Sequence, residues 1–340
     1  MDDFPYASFP SGWYQVAWAG EVGSGEVKPL HYFGQDLVMY RGASGHVHVM
    51  DAYCPHLGAH LGHGGCVAGD DIICPFHGWR WDSSGGNVEI PYSKRLNKAQ
   101  TIRTWPVREY GDLVLLWYDA DGKPPQWEVP PSPEYEETDR YSPYPHCTKL
   151  FPGVRVRPQF VAENAVDPAH QKYVHRAHDI STLELFEGNG PCFHSVQRLA
   201  FGKGKQSTWL TPDGSVEAIL DAEVWGLGLI MARFKGTDDS LHFQCQTPIE
   251  GALADLRVTV LAKREGGDTG DEPTGVAAKR IRHEFRQVEN DLRIWEHMKY
   301  VDPAPFPPEE TRAYQEFRRW AAQFYPEAER KQNRAIISAV

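Results

Sequence analysis

Cysteine and histidine recur together at Cys54-Pro55-His56 and, after a gap of seventeen residues, at Cys74-Pro75-Phe76-His77. This pattern restricts the fold, because two separate loops must bring four side chains to one point. Each loop offers one sulfur and one nitrogen, as C-x-H and C-x-x-H. A 2Fe–2S cluster of mixed ligation needs that division, with two Cys on one iron and two His on the other. Neutral imidazoles in place of anionic thiolates raise the reduction potential, which suits such a cluster to relaying single electrons. A structural zinc site is the plainer alternative. Zinc sites usually cluster like ligands, C-x2–4-C followed by H-x3–5-H, whereas each half here mixes them. Pro55 and Pro75 pre-set turns, and nearby glycines such as Gly58 and Gly78 let backbone N–H groups approach the sulfurs.

Composition excludes several other classes. A net charge of −11 argues against nucleic-acid binding, which needs a clustered Lys/Arg surface. The opening MDDFPYASFPSGW lacks a basic stretch followed by an apolar one, and no run approaches eighteen apolar residues. The expectation is a soluble, cytoplasmic protein without a membrane span. Six cysteines without regular pairing fit a reducing compartment. Cys66, Cys147, Cys192 and Cys245 are expected to be small buried residues.

The 340 residues suffice for two domains. Short β runs separated by turns (Trp13–Ala17, Asp36–Tyr40, His46–Asp51, Asp71–Cys74, Leu113–Trp117) suggest an all-β domain over residues 1–119, with the ligand loops at hairpin ends. A Pro-rich stretch at 121–133 marks the border, and 120–340 forms the second domain. There, 161–178 reads as helical. Alternation in Val224–Phe234 and Leu241–Thr247 suggests an antiparallel sheet. Ile281, Phe285, Val288, Leu292, Trp295 and Met298 form the buried stripe of a helix over roughly 276–300. The predicted fold class is α+β.

A second constellation lies in Glu163-Asn164-Ala-Val-Asp167-Pro-Ala-His170-Gln-Lys-Tyr-Val-His175. Two imidazoles and a carboxylate are the raw material of a 2-His-1-carboxylate iron(II) site with positions open for O2. His170 and His175 are five residues apart, about 140° around a regular helix. Both can reach one metal only if the helix widens or ends between them, and wide π-type turns do occur at functional sites.

The blocks CPHLGAHLGHGG and CPFHGWRWD resemble the Rieske domain of ring-hydroxylating and steroid oxygenases. Respiratory Rieske proteins join their loops by an additional disulfide. Ala59 and Phe76 stand at those positions here, so the chain resembles the lower-potential, oxygenase type. The resemblance implies that Cys54, His56, Cys74 and His77 hold a 2Fe–2S cluster. It also implies that His170 and His175, in D-x-x-H-x3–4-H, hold mononuclear Fe(II), and that Asp167 bridges toward a cluster His of a neighbouring subunit. Asn164 is a further catalytic candidate. The third iron ligand implied is Asp291, in a late helical block with D-x-x-I-W. Glu284 is the runner-up, and Glu289 and Glu296 are expected to be solvated, Glu289 pairing with Arg293. The catalytic domain implied is a helix-grip, START-like sheet with helices, assembled as a head-to-tail homotrimer.

The runs GDDIICPFHGWRWDSSGG…IPYS and QVENDLRIWEHMKY…FRRWAAQFY resemble 3-ketosteroid 9α-hydroxylase oxygenase components, and also the cholesterol 7-desaturase group. They imply a monooxygenase acting with O2 on a small hydrophobic, steroid-type substrate in lipid degradation, with electrons from a separate NADH-dependent flavin and iron–sulfur reductase. The absence of a Gly-rich dinucleotide fingerprint after a strand fits that dependence. Two other readings stay open: hydroxylation or demethylation of an aromatic acid or ether, for which Arg155 and Arg157 are the candidate carboxylate partners, and sterol desaturation. The segment 180–275 is expected to line the pocket. A lone Rieske electron carrier needs about a hundred residues and would leave the His-His-Asp set without a purpose.

Overall fold

A computed structural model describes residues 4–137, 139–201, 216–236, 239–266, 268 and 270–331. It contains two compact units, Tyr14–Tyr118 with Thr247–Gly251, and Met1–Trp13 with Asp119–Gln246 and Ala252–Val340. The expected border near 119 is present, with two exchanges. The first residues join the larger unit, where Ser11 N–H donates to the Phe324 carbonyl at 2.7 Å. The Thr247–Gly251 turn joins the smaller, where Phe33 N–H donates to the Pro248 carbonyl at 2.9 Å. Neither exchange involves residues adjacent in sequence, so local pattern could not reveal it.

The smaller unit holds β1 (Gly12–Trp18), β2 (Val27–Tyr32), β3 (Gln35–Arg41), β4 (Val47–Asp51), β5 (Cys66–Ala68), β6 (Asp71–Ile73), β7 (Arg80–Trp81), β8 (Asn87–Glu89), β9 (Thr104–Trp105), β10 (Val107–Tyr110) and β11 (Leu113–Tyr118). They form three small sheets, ordered β1-β11-β10, β2-β3-β4-β9 and β5-β6-β7-β8. Val38, Tyr40, Met50, Leu61, Ile72, Trp79 and Trp81 build one core with Cys54 and Cys74 inside it. The β8–β9 connection closes on the β7–β8 turn. Gly85 sits there at φ +83°, and an added Cβ would meet the Ile102 carbonyl oxygen at 1.9 Å. Gly85→Ala must therefore strain the backbone and break the Ile102 N–H to Gly85 carbonyl bond of 2.9 Å. A loss on the order of 2–4 kcal/mol of unfolding free energy is expected, read as a lower urea midpoint at unchanged slope.

The larger unit begins with α1 (Pro133–Glu136) and β12 (Thr148–Arg155), followed by α2 (Pro158–Glu163) and α3 (Pro168–Tyr173). Strands β13 (Thr182–Asn189), β14 (Cys192–Phe201), β15 (Val216–Trp225), β16 (Leu229–Lys235), β17 (Ser240–Pro248) and β18 (Leu253–Ala262) then meander, and β12 joins beyond β18 to complete seven. Helix α4 (Gly275–Trp295) packs on β18 and β12, and α5 (Pro308–Ala321) packs on β13. The α+β class holds, as does the sheet-plus-helices catalytic unit.

Several local expectations need correction. Val224–Phe234 is a hairpin, with the left-handed Gly226 turning β15 into β16. The 161–178 helix is broken at Pro168, because proline lacks the N–H that would continue the ladder. The late helix stops at Trp295, so Met298 lies beyond it and is exposed, and Phe285 of the expected stripe is only partly buried. Glu289 pairs with Lys149 of β12 at 2.5 Å instead of Arg293, since packing on the sheet brings that ammonium closer. Cys66 is exposed and Cys192 only partly buried, while Cys147 and Cys245 are buried as expected. Part of the expected pocket segment, 202–215, lies outside the described residues.

Candidate cluster and active sites

The two Cys-His loops have the same backbone geometry. In the first, Gly58 N–H donates to the Cys54 carbonyl and Cys54 N–H to the Ala59 carbonyl, both at 2.9 Å. In the second, Gly78 donates to Cys74 at 3.1 Å and Cys74 to Trp79 at 2.8 Å. Gly58 and Gly78 adopt φ of +74° and +70°, a region open to glycine without strain. Each loop thus turns its cysteine into the core and its histidine toward the rim. Cys54 and Cys74 are 1 % and 3 % exposed. Burial, with the neighbouring Cys74 thiol adding to it, pushes the Cys54 thiol up to about 11 against the opposing His56 N–H. The His56 and His77 rings lie 4.6 Å apart, and His56 stacks on Trp79 at 4.4 Å.

The Nδ1 atoms of His56 and His77 are buried and have no hydrogen-bond partner. Orphaned buried nitrogens are costly, and two of them beside two buried thiols form a donor set that a Cys2His2 cluster satisfies. The residues fit that group. Leu57, Phe76 and Tyr92 leave an exposed apolar rim around the loops.

In the larger unit, α2, α3, α4 and the sheet enclose a pocket lined by His170, His175, Asp291 and Asn164. Asp167 caps α3, its Oδ1 accepting from Ala169 N–H and His170 N–H at 3.1 Å each. Burial raises the pKa of this carboxyl, but His170 and the Tyr314 hydroxyl outweigh burial and leave it below the usual range. After Tyr173 the helix ends in the wide turn that the histidine spacing demands: Val174 N–H and His175 N–H both donate to the His170 carbonyl, at 2.8 and 3.4 Å. The two imidazoles consequently face one another, ring centres 5.0 Å apart.

Both rings are held in one tautomer. His170 Nδ1–H donates to the Asp167 carbonyl. His175 Nδ1–H donates to Gln287 Oε1 at 3.1 Å, and Gln287 in turn donates from Nε2 to His283 at 2.8 Å. This turns Nε2 of each imidazole away from those partners, and Nε2 is a nitrogen that metal-ligating histidines use. His175 Nε2 faces Asp291 Oδ1 at 3.3 Å. Burial opposes the charged form of His175, but the Asp291 carboxylate outweighs it and raises the pKa, so a proton competes for the same nitrogen. His170 Nε2 accepts from Gln171 at 3.0 Å. Among the described residues no three His, Cys, Asp or Glu groups close tightly around one point. His170, His175 and Asp291 share the pocket wall, and as residue types they are the two imidazoles and one carboxylate that a facial triad uses.

Of the other candidates, Glu284 is buried and bound to Arg280 and His242 at 3.1 and 3.2 Å. The neighbouring His178 pairs with Asp179 at 2.6 Å and does not line the pocket. Arg155 donates to the Glu296 carbonyl, and Arg157 lies over Phe4. Neither arginine lines the pocket. Gln171, Gln287, His283, Arg280 and His242 were not anticipated. Gln287 and Glu284 stand one and two turns before Asp291 on its helical face. His242 and Gln244 alternate with apolar residues along β17, the strand signature of a polar-lined face.

Comparison with known proteins identifies both halves of the chain. Residues 12–106 match the Rieske [2Fe-2S] domain, and residues 116–325 match the 3-ketosteroid 9alpha-hydroxylase C-terminal domain. The cholesterol 7-desaturase nvd of Xenopus laevis is 30% identical over 93% of this chain and 72% of its own length. The 3-ketosteroid-9-alpha-monooxygenase oxygenase component of Rhodococcus rhodochrous is 27% identical over 95% and 82%. A dicamba monooxygenase structure superposes with a TM-score of 0.71 at 19% identity, covering 98% of this chain and 99% of that one, which is a likeness of fold. With its Rieske 2Fe–2S cluster and mononuclear iron, the chain belongs to the Rieske non-heme iron oxygenases, in the branch that carries the 3-ketosteroid 9α-hydroxylase C-terminal domain.

Proposed function

We propose that this chain is the terminal oxygenase component of a Rieske monooxygenase and hydroxylates a steroid-type substrate. Cys54, His56, Cys74 and His77 hold the cluster, and His170, His175 and Asp291 hold the iron. A separate NADH-dependent flavin and iron–sulfur reductase supplies electrons to a cytoplasmic homotrimer. Among the described residues no helix is long and apolar enough to cross a membrane. When bound, the cluster provides single electrons and the iron the centre at which O2 is activated. The chain's own contribution is positional. The Asp167 carbonyl and Gln287 lock the imidazole tautomers, Asp167 Oδ1 fixes the start of α3, and the apolar pocket wall excludes water from the oxidation.

The observation that carries this reading is that His170, His175 and Asp291 line one pocket together with an apolar face of the sheet. Leu220 and Ala222 of β15, Ile230, Ala232 and Phe234 of β16, and Val258 of β18 supply that apolar surface. They occupy a single face of the sheet, where Ala222 pairs with Ala232 and Leu220 with Phe234. Anaerobic titration of the reduced holoenzyme with steroids and aromatic acids, followed at the mononuclear iron, tests it. Steroids are expected to perturb the iron and aromatic acids to leave it unchanged. Failure of every steroid would overturn the substrate class. Ala222→Phe, which fills the small-residue centre of that face, is expected to weaken steroid binding at least about tenfold while cluster and iron contents stay unchanged.

A second reading, desaturation of a sterol, draws support from the similarity to the cholesterol 7-desaturases. Product analysis separates the two, since one adds a hydroxyl and the other a double bond.

A further inference from the structure

Helix α4 carries more than the proposed iron carboxylate. Arg280, Glu284, Gln287 and Asp291 follow one another at steps of four, three and four, and all line the pocket. At a rise of 1.5 Å per residue the Arg280 backbone stands about 16 Å from that of Asp291, two separate ends of one face. Arg280, His242 and Glu284 are only 4%, 7% and 8% exposed.

These side chains close into a ring with Ser240. Arg280 Nε–H donates to Ser240 Oγ at 3.2 Å, and Ser240 O–H donates to His242 Nε2 at 3.0 Å. His242 Nδ1–H meets Glu284 Oε2 at 3.2 Å, and Glu284 Oε1 accepts from Arg280 Nη1 at 3.1 Å. The Phe234 ring lies 4.4 Å from the guanidinium carbon and fixes its plane. Burial together with the Arg280 charge holds the His242 pKa well below the usual value, which leaves Nε2 to accept from Ser240. His283, also on the pocket wall, is pushed down to about 4 by burial and the Arg280 and Arg286 charges. Arg280 Nη2 alone remains: it is buried and without a partner. A rigid, desolvated donor left over from a satisfied network is suited to a ligand oxygen.

Charge decides what kind of oxygen. Glu284 already balances Arg280, and His242 and His283 are neutral. A carboxylate would find the buried Arg280 charge already neutralised by Glu284, whereas a carbonyl oxygen accepts from Nη2 with no net charge to bury. We propose that Arg280 Nη2 donates a hydrogen bond to a neutral carbonyl oxygen at the end of the substrate remote from the His170, His175 and Asp291 wall, and so determines which hydrophobic molecules bind in register for oxidation. The inference deepens the proposed function and rests on its placing the substrate in this pocket.

Equilibrium dialysis with the holoenzyme tests it without turnover. The probes are androst-4-ene-3,17-dione, the two analogues lacking its 3- or 17-carbonyl, and the pair benzophenone and diphenylmethane. The wild type is expected to prefer the dione over one of its deoxo analogues, and benzophenone over diphenylmethane, by about tenfold. Arg280→Met should abolish both preferences and leave diphenylmethane binding unaltered. Should Arg280→Met not fold with Glu284 left unpaired, Arg280→Met combined with Glu284→Gln removes the ion pair as a unit and carries the same comparison. Preferences that persist in the folded variant, or are missing from the wild type, would overturn the role of Arg280. Tighter binding of biphenyl-4-carboxylate than of benzophenone would overturn the neutral-oxygen class. If no steroid binds while the benzophenone preference appears and depends on Arg280, the steroid reading fails and the Arg280 assignment stands.

Discussion

Replacing His175 by alanine is expected to lower product formation by at least about a thousandfold, on the order of 4 kcal/mol of transition-state stabilisation. His175 Nε2 faces Asp291 at 3.3 Å, and its ring stands 5.0 Å from that of His170, so its loss removes a donor from the centre of the proposed iron set. The cluster should be untouched, because Cys54, His56, Cys74 and His77 belong to the other compact unit. The visible spectrum and the reduced-state EPR signal of the cluster should match those of the wild type, while mononuclear iron content falls. His170→Ala and Asp291→Ala should behave alike. Turnover within tenfold of wild type in any of the three would remove that residue from the iron site.

The second large effect concerns Asp167, which has two separable jobs. One is capping: Oδ1 takes both Ala169 N–H and His170 N–H. The other is the proposed link between the two metal sites, for which the oxygen not used by the cap, Oδ2, lies 3.8 Å from His170 Nδ1. Asparagine caps helices as well as aspartate does, yet it replaces the second acceptor by an NH2 donor. Asp167→Asn is therefore expected to keep wild-type stability and iron content while turnover falls roughly a hundredfold. Asp167→Ala should lose the link and also about 1 kcal/mol of stability. Normal turnover in Asp167→Asn would leave capping as the whole role of this residue.

The parts of this molecule legible in the sequence are those fixed by short-range chemistry. The quartet at 54–77 carries its spacing within two turns, and the 170–175 separation forced a wide turn that appears as the shared His170 carbonyl. The buried face of α4 was readable from its period, including the inward Asp291. What escaped depends on long-range partners. Gln287 matters because α4 passes the turn that carries His175, over a hundred residues earlier in the chain, and Glu289 finds Lys149 because α4 lies on β12. His242 and Arg280 meet only through the packing of helix on sheet, and each taken alone reads as an ordinary polar residue. Pro168 was visible, but its consequence, a helix restarted by an aspartate cap, requires knowing that the chain is helical on both sides.

The pocket face of the sheet, Leu220, Ala222, Ile230, Ala232 and Phe234, contributes none of the proposed iron donors; those come from α3, the turn after it, and α4. Shape and reactivity are thus encoded on different pieces of chain. Methyl and aryl groups can be traded along two adjacent strands, reshaping the cavity for new molecules, without moving an imidazole or a carboxylate. Such a scaffold can diversify its diet while its oxidation chemistry stays constant.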